Sequence, residues 1–420
     1  MYHSTTDVYQ IKRKAVRFAK SIVSKANQVE AKFVTHFIYG TLKSGSVLLK
    51  DIAVALHEGV QVKNTIERLS RNLSNPLSPS IRSHYTQKMV QALGKNPVIM
   101  VDDSDVIKPH GQAFESLGRV LDGPSRDNKM EKGYHVTEIV GLTAQKHQPV
   151  SLFSRIHSSR EKRYKSTNDI LFQGLHHVIS HLEKKATFVF DRGYDMNALF
   201  DFMHQNKQQY IIRLTEKRNI HWKGKWFKAP VLRDSRKGKI KTDLTFRENG
   251  KTEKKAVYIS HLNVTITASK RPIRLVLVYG LGEQPMMLAT NKPIRSKQDA
   301  IGIVRDYMSR WRIEEYFRFK KQHFGFEDFR VRSLMSMNNL NQLLTYALGM
   351  LGLVAEQSDT SQLFHRLIHN ARALRRKVDF HYYQLAEGVM KTLAYARTGV
   401  QDWIPIRETG PHQLTMRLIC

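Results

Sequence analysis

The sequence predicts an α/β protein in which helices flank a mixed β-sheet, with a β-rich insertion and helical regions at both ends. Three observations carry this prediction. Short apolar runs of strand-like composition alternate with helical segments between Pro97 and Leu214. Residues 215–290 then alternate with the period of a strand, and the two flanking regions have helical spacing.

The N-terminal region, residues 1–95, is basic and is expected to be helical. Within it, residues 48–73 predict a helix, a turn at Gly59 and a second helix. The first helix has an apolar side that includes Val54, and the second is expected to direct Arg68 and Arg71 outward. A DNA-reading pair of helices has this layout, and so does an ordinary helical hairpin, so both interpretations stay open.

The central region contains strands and helices in the order three strands, helix, strand, helix, strand. The strands are the apolar runs at 98–102, 136–144, 150–156, 186–191 and 210–214, and the helices lie at about 167–182 and 196–205. This order is typical of a mixed α/β sheet covered by helices.

After the central region, residues 215–290 predict a β-rich insertion with a hairpin turn at Asn249 and Gly250. A single long helix is expected from about Ser296 to Gln322, and residues 334–420 form a helical C-terminal region. The apolar stretch 343–355 is shorter than the ~20 residues that span a bilayer, so it predicts a buried core helix.

Lys and Arg outnumber Asp and Glu by 68 to 37, a formal charge of +31. Such a surplus favours a polyanionic partner, and nucleic acid is favoured over an anionic membrane surface. The one cysteine, Cys420, excludes an intrachain disulfide and a cysteine-based zinc site. The N-terminus has no apolar run behind its charges, so the sequence predicts a soluble, intracellular protein.

Two acidic residues follow apolar strands: Asp102 in MVDDSD and Asp191 in FVFDRGYD. Open α/β sheets place functional groups at such strand ends, although a single Asp there more often starts a turn or caps a helix. Two of them at equivalent ends favour a site. Because side chains alternate along a strand, only one of Asp102 and Asp103 can face that site.

A third acidic residue lies on a helix face with unusual companions. Tyr307, Arg310, Glu314 and Lys321 lie at offsets of 0, 3, 7 and 14, which at about 100° per residue fall within an arc of roughly 60°. A solvated face would explain the pairing of Arg310 with Glu314 but not the other two residues. The face is therefore predicted to be functional, and the neighbouring Trp311 is expected to face the core.

The spacing Y-x2-R-x3-E-x6-K of these four residues is similar to the signature of bacterial cut-and-paste insertion-sequence transposases, the IS-four group with a DDE triad. FVFDRGYD resembles the group's second-Asp motif, and VDDSD resembles its first, in which Ser or Thr follows two residues after the Asp. That spacing, with Ser104, favours Asp102 over Asp103. The resemblance covers about residues 98–333 and implies an RNase H-like core with a β-rich insertion before the Glu.

The resemblance also implies a mechanism. Converging carboxylates need cations between them, and oxygen ligands suit Mg²⁺ or Mn²⁺, so Asp102, Asp191 and Glu314 are expected to bind two such ions. Water would free a 3′-hydroxyl at the element's end, and this hydroxyl would attack another strand, with a hairpin as the first product by resemblance. Arg310 and Lys321 would hold phosphates, and Tyr307 would pack against displaced DNA.

The implied organisation is an end-binding domain at 1–95, a catalytic core at 96–214 and 291–333, the insertion at 215–290 and a dimerisation region at 334–420. The expected partner is double-stranded DNA, bound by a homodimer in the bacterial cytoplasm at the nucleoid, with no membrane. Two alternatives are an RNase H-like nuclease without strand transfer and a catalytically inert DNA-binding regulator. Tyr307, Arg310 and Lys321 favour the transposase over the nuclease, and the complete set of carboxylates argues against the regulator.

Overall fold

The computed structural model describes residues 3–121, 129–248, 251–268, 271–372 and 380–401. Five helices form the N-terminal region: α1 (His3–Ile22), α2 (Gln28–Ser44), α3 (Leu49–Leu56), α4 (Val62–Leu73) and α5 (Pro79–Gln91).

The predicted helix–turn–helix is present as α3 and α4, but the directions of two side chains, Val54 and Arg68, were predicted wrongly. Val54 is exposed to solvent. Arg68 turns inward and donates hydrogen bonds of 2.8 Å to both carboxylate oxygens of Glu58, because that nearly buried carboxylate needs a cation. Arg71 is exposed as expected.

The core sheet contains the five expected strands and one short additional strand. They are β1 (Val98–Ile107), β2 (Gly118–Leu121), β3 (Met130–Leu142), β4 (Pro149–His157), β5 (Thr187–Phe190) and β6 (Gln209–Arg213), with α6 (Thr167–Ile179) before β5 and α7 (Asn197–Gln205) before β6. β1, β5 and β6 pair in parallel, whereas β3 pairs antiparallel with β1 and β4. Apart from β2, which extends the edge along the start of β3, this is the RNase H-like chain order that the resemblance implies.

The insertion is β-rich, as predicted, and it continues the core sheet. Its elements are β7 (Asn219–Trp222), β8 (Lys225–Lys228), α8 (Ala229–Asp234), β9 (Ile240–Glu248), β10 (Lys251–Ile266), β11 (Pro272–Tyr279) and β12 (Met286–Thr290). β12 pairs antiparallel with β6, so the described residues contribute to one sheet of 12 strands. The expected turn at Asn249 and Gly250 lies outside the described residues, as does Cys420.

Among the described residues, five helices follow the insertion: α9 (Lys297–Met308), α10 (Trp311–Phe324), α11 (Leu334–Glu356), α12 (Gln362–Asn370) and α13 (Tyr382–Ala394). The single helix expected from about Ser296 to Gln322 is therefore two helices, α9 and α10. At the junction the Ser309 hydroxyl donates to the Asp306 carbonyl at 2.6 Å, and hydrogen bonds three residues apart tighten the backbone into a 3₁₀-like turn. α10 ends at Gly325, whose φ of +62° is a left-handed conformation that glycine adopts without strain.

Helix α11 is the buried core helix that the apolar stretch 343–355 predicts, and it packs on β4 and α2. The helices of both ends contact each other, α1 and α2 against α13, and share one hydrophobic core with the sheet. Within the described part of the chain, no helix is both long and apolar enough to cross a membrane.

Candidate active site

Asp102 and Asp191 lie side by side on neighbouring parallel strands. The register of β1 and β5 aligns Val101 with Phe190, so the next residue on each strand is one of the two aspartates. The expectation that Asp102 ends its strand was wrong, because β1 continues to Ile107 through antiparallel pairing with β3. Asp191 thus follows the end of β5, and Asp102 lies beside it within a longer strand.

Asp103 leaves the opposite face of the sheet, as strand alternation requires. It accepts a hydrogen bond of 2.6 Å from the Thr137 hydroxyl and one of 3.0 Å from the Tyr194 hydroxyl. Burial raises the pKa of Asp103, and these two donors oppose the rise. Because Tyr194 lies three residues after Asp191, Asp103 ties the loop that carries Asp191 to β1.

Arg310 connects Asp102 to Glu314. Its guanidinium lies 2.8 Å from the Asp102 carboxylate and 2.5 Å from that of Glu314, one turn further along α10. Burial alone would lower the pKa of Arg310, but the attraction of Asp102, Glu314 and Asp191 outweighs it, and the net shift is upward. Asp102 and Glu314 therefore contact one cation, and Asp191 lies near enough to attract it.

The surroundings of Asp102 strongly perturb its carboxylate. Burial raises its pKa to about 7; Arg310 opposes this rise, and the nearby charge of Asp191 adds to it. A carboxylate that has lost water in this way is stabilised in its charged form by a bound cation.

Tyr307 lies on the same side of the site, at the end of α9. Its ring is buried, and its hydroxyl is 3.4 Å from Asp191 Oδ1, which it can donate to. Burial raises the pKa of Tyr307, so its hydroxyl keeps its proton at neutral pH. A buried ring has no open face for displaced DNA, and the structure associates Tyr307 with the carboxylate.

Lys321 lies two turns beyond Glu314 and holds the far end of β1. Its ammonium group donates to the Asp105 carbonyl and is 3.4 Å from the Glu327 carboxylate, which in turn accepts the Ile107 N–H at 3.1 Å. The predicted residues thus lie on β1, after β5, on α9 and α10 and, for Arg310, at the junction of these two helices. Five of them are next to one another, whereas Lys321 contacts Asp105 and Glu327.

Trp311 was expected to face the core, and this was wrong. It is 41% exposed, and the Arg312 guanidinium lies 4.6 Å from its ring centroid. The 3₁₀-like junction before α10 changes the rotation of the helix, which a regular 100° step does not anticipate.

Sequence reasoning missed two supports of the site. Lys320 and Glu138 form an ion pair of 3.0 Å that is almost completely buried between α10 and β3. Asp195 accepts hydrogen bonds from Thr215 and from Arg218 at 2.8 Å each, which fixes the loop after Asp191 to the start of the insertion. The available signals were a lone Glu inside the apolar run VTEIVGL and a second Asp in FVFDRGYD.

The donor set fits a hard divalent cation, since it consists of carboxylates and contains no thiol. As the side chains stand, no group of three or more His, Cys, Asp or Glu residues in the described ranges is close enough to hold a metal ion. Arg310 provides the positive charge between Asp102 and Glu314. The Glu314 side chain is 51% exposed, so it can change rotamer without disturbing the core.

Comparison with known proteins adds a family. The family model described as "Transposase DDE domain" matches residues 96–349, a range that contains all three carboxylates. No curated protein sequence matches the chain. Among solved structures, the chain is similar to a piggyBac transposase in a cryo-EM structure of its synaptic complex with hairpin DNA, at 10% identity and a TM-score of 0.43, over 96% of this chain and 84% of that chain.

Proposed function

Because the chain belongs to the transposase DDE domain family, we propose that it cuts DNA at the terminal inverted repeats of an insertion sequence and joins the freed 3′ ends to target DNA. The observation that carries this proposal is that Asp102 and Glu314 both contact the guanidinium of Arg310, while Asp191 follows the strand next to Asp102. The spacing from Tyr307 to Lys321 supports assignment to the IS-four group.

In this proposal Asp102, Asp191 and Glu314 hold two Mg²⁺ or Mn²⁺ ions, which when bound would activate the attacking oxygen and stabilise the leaving oxygen of a phosphodiester. The protein contributes the ligands and their environment. Burial of Asp102, which raises its pKa to about 7, makes this carboxylate a strong partner for an added positive charge.

Arg310 has a second role once its carboxylates engage other cations. A guanidinium presents parallel N–H donors that match two oxygens of a phosphate. We assign Arg310 to the phosphate beside the cut, together with Lys321, which is 25% exposed and anchored to β1. For Tyr307 we replace the predicted DNA packing with positioning of Asp191 through its hydroxyl.

The reaction has two steps at this site. Water attacks a phosphodiester at the end of the element, which breaks a P–O bond and leaves a 3′-hydroxyl. That hydroxyl then attacks a phosphodiester of another strand, so one P–O bond forms as another breaks. When the second strand is the opposite strand of the same end, the product is a hairpin that is reopened before insertion.

We further propose that residues 1–95 bind the inverted repeats and that residues 334–420 support a homodimer with one protomer at each end, acting at a bacterial nucleoid. The formal charge of +31 supports a duplex DNA partner. The exposed Arg71 on α4 supports contact of this helix with DNA.

A strand-transfer assay tests the proposed function. Purified protein is combined with Mg²⁺ and labelled DNA carrying the inverted repeats that flank its gene, together with a plasmid target. The proposal predicts cleavage at the repeat ends followed by joined product. Cleavage without joined product would instead identify a nuclease, and binding without cleavage would identify an inert regulator.

A further inference from the structure

A basic surface lies apart from the three carboxylates. It is a groove of about 910 Å³ between the loop that follows β1, strands β2 and β3, and the loop that follows β4. Five exposed cations line this groove, which we call the β2 groove: Arg119, Lys132, Arg160, Lys162 and Arg163.

The two carboxylates in the β2 groove are already engaged within the protein. Glu115 accepts the first backbone N–H of α11 at 2.6 Å. Glu161 accepts a backbone N–H at 2.9 Å and an arginine N–H at 3.2 Å. In the ranges that the structure describes, no hydrogen bond or ion pair engages the side chains of Arg160, Lys162 or Arg163. The groove therefore presents positive charge that the protein itself does not neutralise, which suits a polyanion.

Two cations of the β2 groove, Lys132 and Arg119, leave the face of the sheet that carries Asp102. Side chains alternate along β3, so Lys132 and Glu138 leave the same face. Glu138 is opposite Asp102 in the register of β1 and β3, and Arg119 is opposite Lys132 in that of β2 and β3. The six steps along β3 from Lys132 to Glu138 correspond to roughly 20 Å.

We propose that the β2 groove binds the sugar–phosphate backbone of duplex DNA about six base pairs from the phosphodiester at the carboxylates, since duplex DNA rises ~3.4 Å per base pair. This inference rests on the proposed function, because it takes the carboxylates as the place of cleavage. The five cations of the β2 groove are suited to bind phosphate oxygens. Contacts with phosphates position a duplex without reading its sequence.

The test compares DNA length with groove charge. Each duplex contains the cleavage position and one variable arm, either about three or about twelve base pairs long. The arm is placed on the transposon side in one set of duplexes and on the flanking side in the other. Only the long arms reach the groove. The variant Arg160→Ala/Arg163→Ala removes two groove charges. The matched control Lys184→Ala/Lys185→Ala removes two exposed charges from the loop before β5, at the opposite end of that strand from Asp191.

On the long arm that occupies the groove, the slope of log Kd against log salt concentration for Arg160→Ala/Arg163→Ala should fall by about two, because each lost phosphate contact releases about one counterion fewer. On short arms the variant should match the wild type, and the control should match it on both. If lengthening the arm on one side restores the difference in salt slope between variant and wild type, that side carries the DNA bound in the groove.

A wild-type slope for the groove variant on every duplex would overturn this inference, even if the wild-type protein cleaves normally. Failure of the wild type to cleave any duplex would instead overturn the proposed function, and the binding slopes would still decide whether the groove holds DNA. A second variant, Arg119→Ala/Lys132→Ala, should reproduce the result from the other wall of the groove.

Discussion

Replacing Lys320 by Met would leave the Glu138 carboxylate buried without its cation. The exposed fractions of the two side chains are 1% and 0%, and Nζ lies 3.0 Å from Oε2. Burial lowers the pKa of Lys320, which the attraction of Glu138 opposes, so each charge depends on the other. Removal of one partner from a buried pair costs about 3–5 kcal/mol. The hydroxyls of Ser151 and Ser154 still donate hydrogen bonds to Glu138. The expected loss of unfolding free energy therefore lies near the lower end of this range, at about 3 kcal/mol.

Urea unfolding of the wild type, Lys320→Met and Lys320→Met/Glu138→Gln measures this cost. The double variant has no buried charge at this position, so it should recover most of the lost stability. The same pair holds α10 against β3, and Glu314 lies on α10, so Lys320→Met should also reduce DNA cleavage at temperatures where the protein remains folded. A loss below about 1 kcal/mol for Lys320→Met, or a double variant as unstable as the single one, would refute the reasoning.

Three further predictions concern the two faces of β1, the Tyr307 hydroxyl and the buried His157. Asp102→Asn should abolish cleavage. Asp103→Asn should retain cleavage but lose about 1 kcal/mol of stability, because it loses a hydrogen bond from one hydroxyl partner. Cleavage rates and urea midpoints measure these effects, and the reverse order of activities would make Asp103 the first carboxylate. Tyr307→Phe removes the hydroxyl beside Asp191 and should slow cleavage about five- to tenfold with an unchanged melting temperature, as for one hydrogen bond of roughly 1 kcal/mol; an unchanged rate would contradict the positioning role. Burial lowers the pKa of His157 to about 3, so below about pH 6.5 the unfolded chain binds a proton that the folded chain does not, and stability falls as the pH drops. Relative to His157→Asn, the wild type should lose about 1.6 kcal/mol between about pH 6.5 and pH 5 in urea titrations. Parallel pH profiles of the two proteins would contradict this.

Local pattern was sufficient to predict the sheet elements. Apolar runs such as VIMV and ATFVF do form strands, and Tyr307 and Arg310 do lie against Asp191 and Asp102. The end of β1 was not predictable in this way. Its continuation to Ile107 depends on pairing with β3, which is a contact between distant parts of the chain.

The remaining differences arise from side-chain contacts that the pattern of apolar and polar residues does not show. Arg68 points inward because Glu58, ten residues away and nearly buried, accepts its hydrogen bonds. The break between α9 and α10 depends on a Ser309 hydroxyl that can bond either to water or to its own helix. Lys320 and Glu138 are 182 residues apart, so the sequence shows two ordinary charges and gives no sign of their pairing.

Cleavage by Glu314→Gln, compared with Glu315→Gln, tests the central claim most directly. Both variants remove one carboxylate charge from α10, but Glu314 contacts Arg310 at the site, whereas Glu315 pairs with Arg312 at 3.4 Å. With inverted-repeat DNA and Mg²⁺, the account predicts that Glu314→Gln binds the ends and makes no cut, while Glu315→Gln cuts at close to the wild-type rate. Normal cutting by Glu314→Gln would show that the proposed site is not where DNA is cleaved.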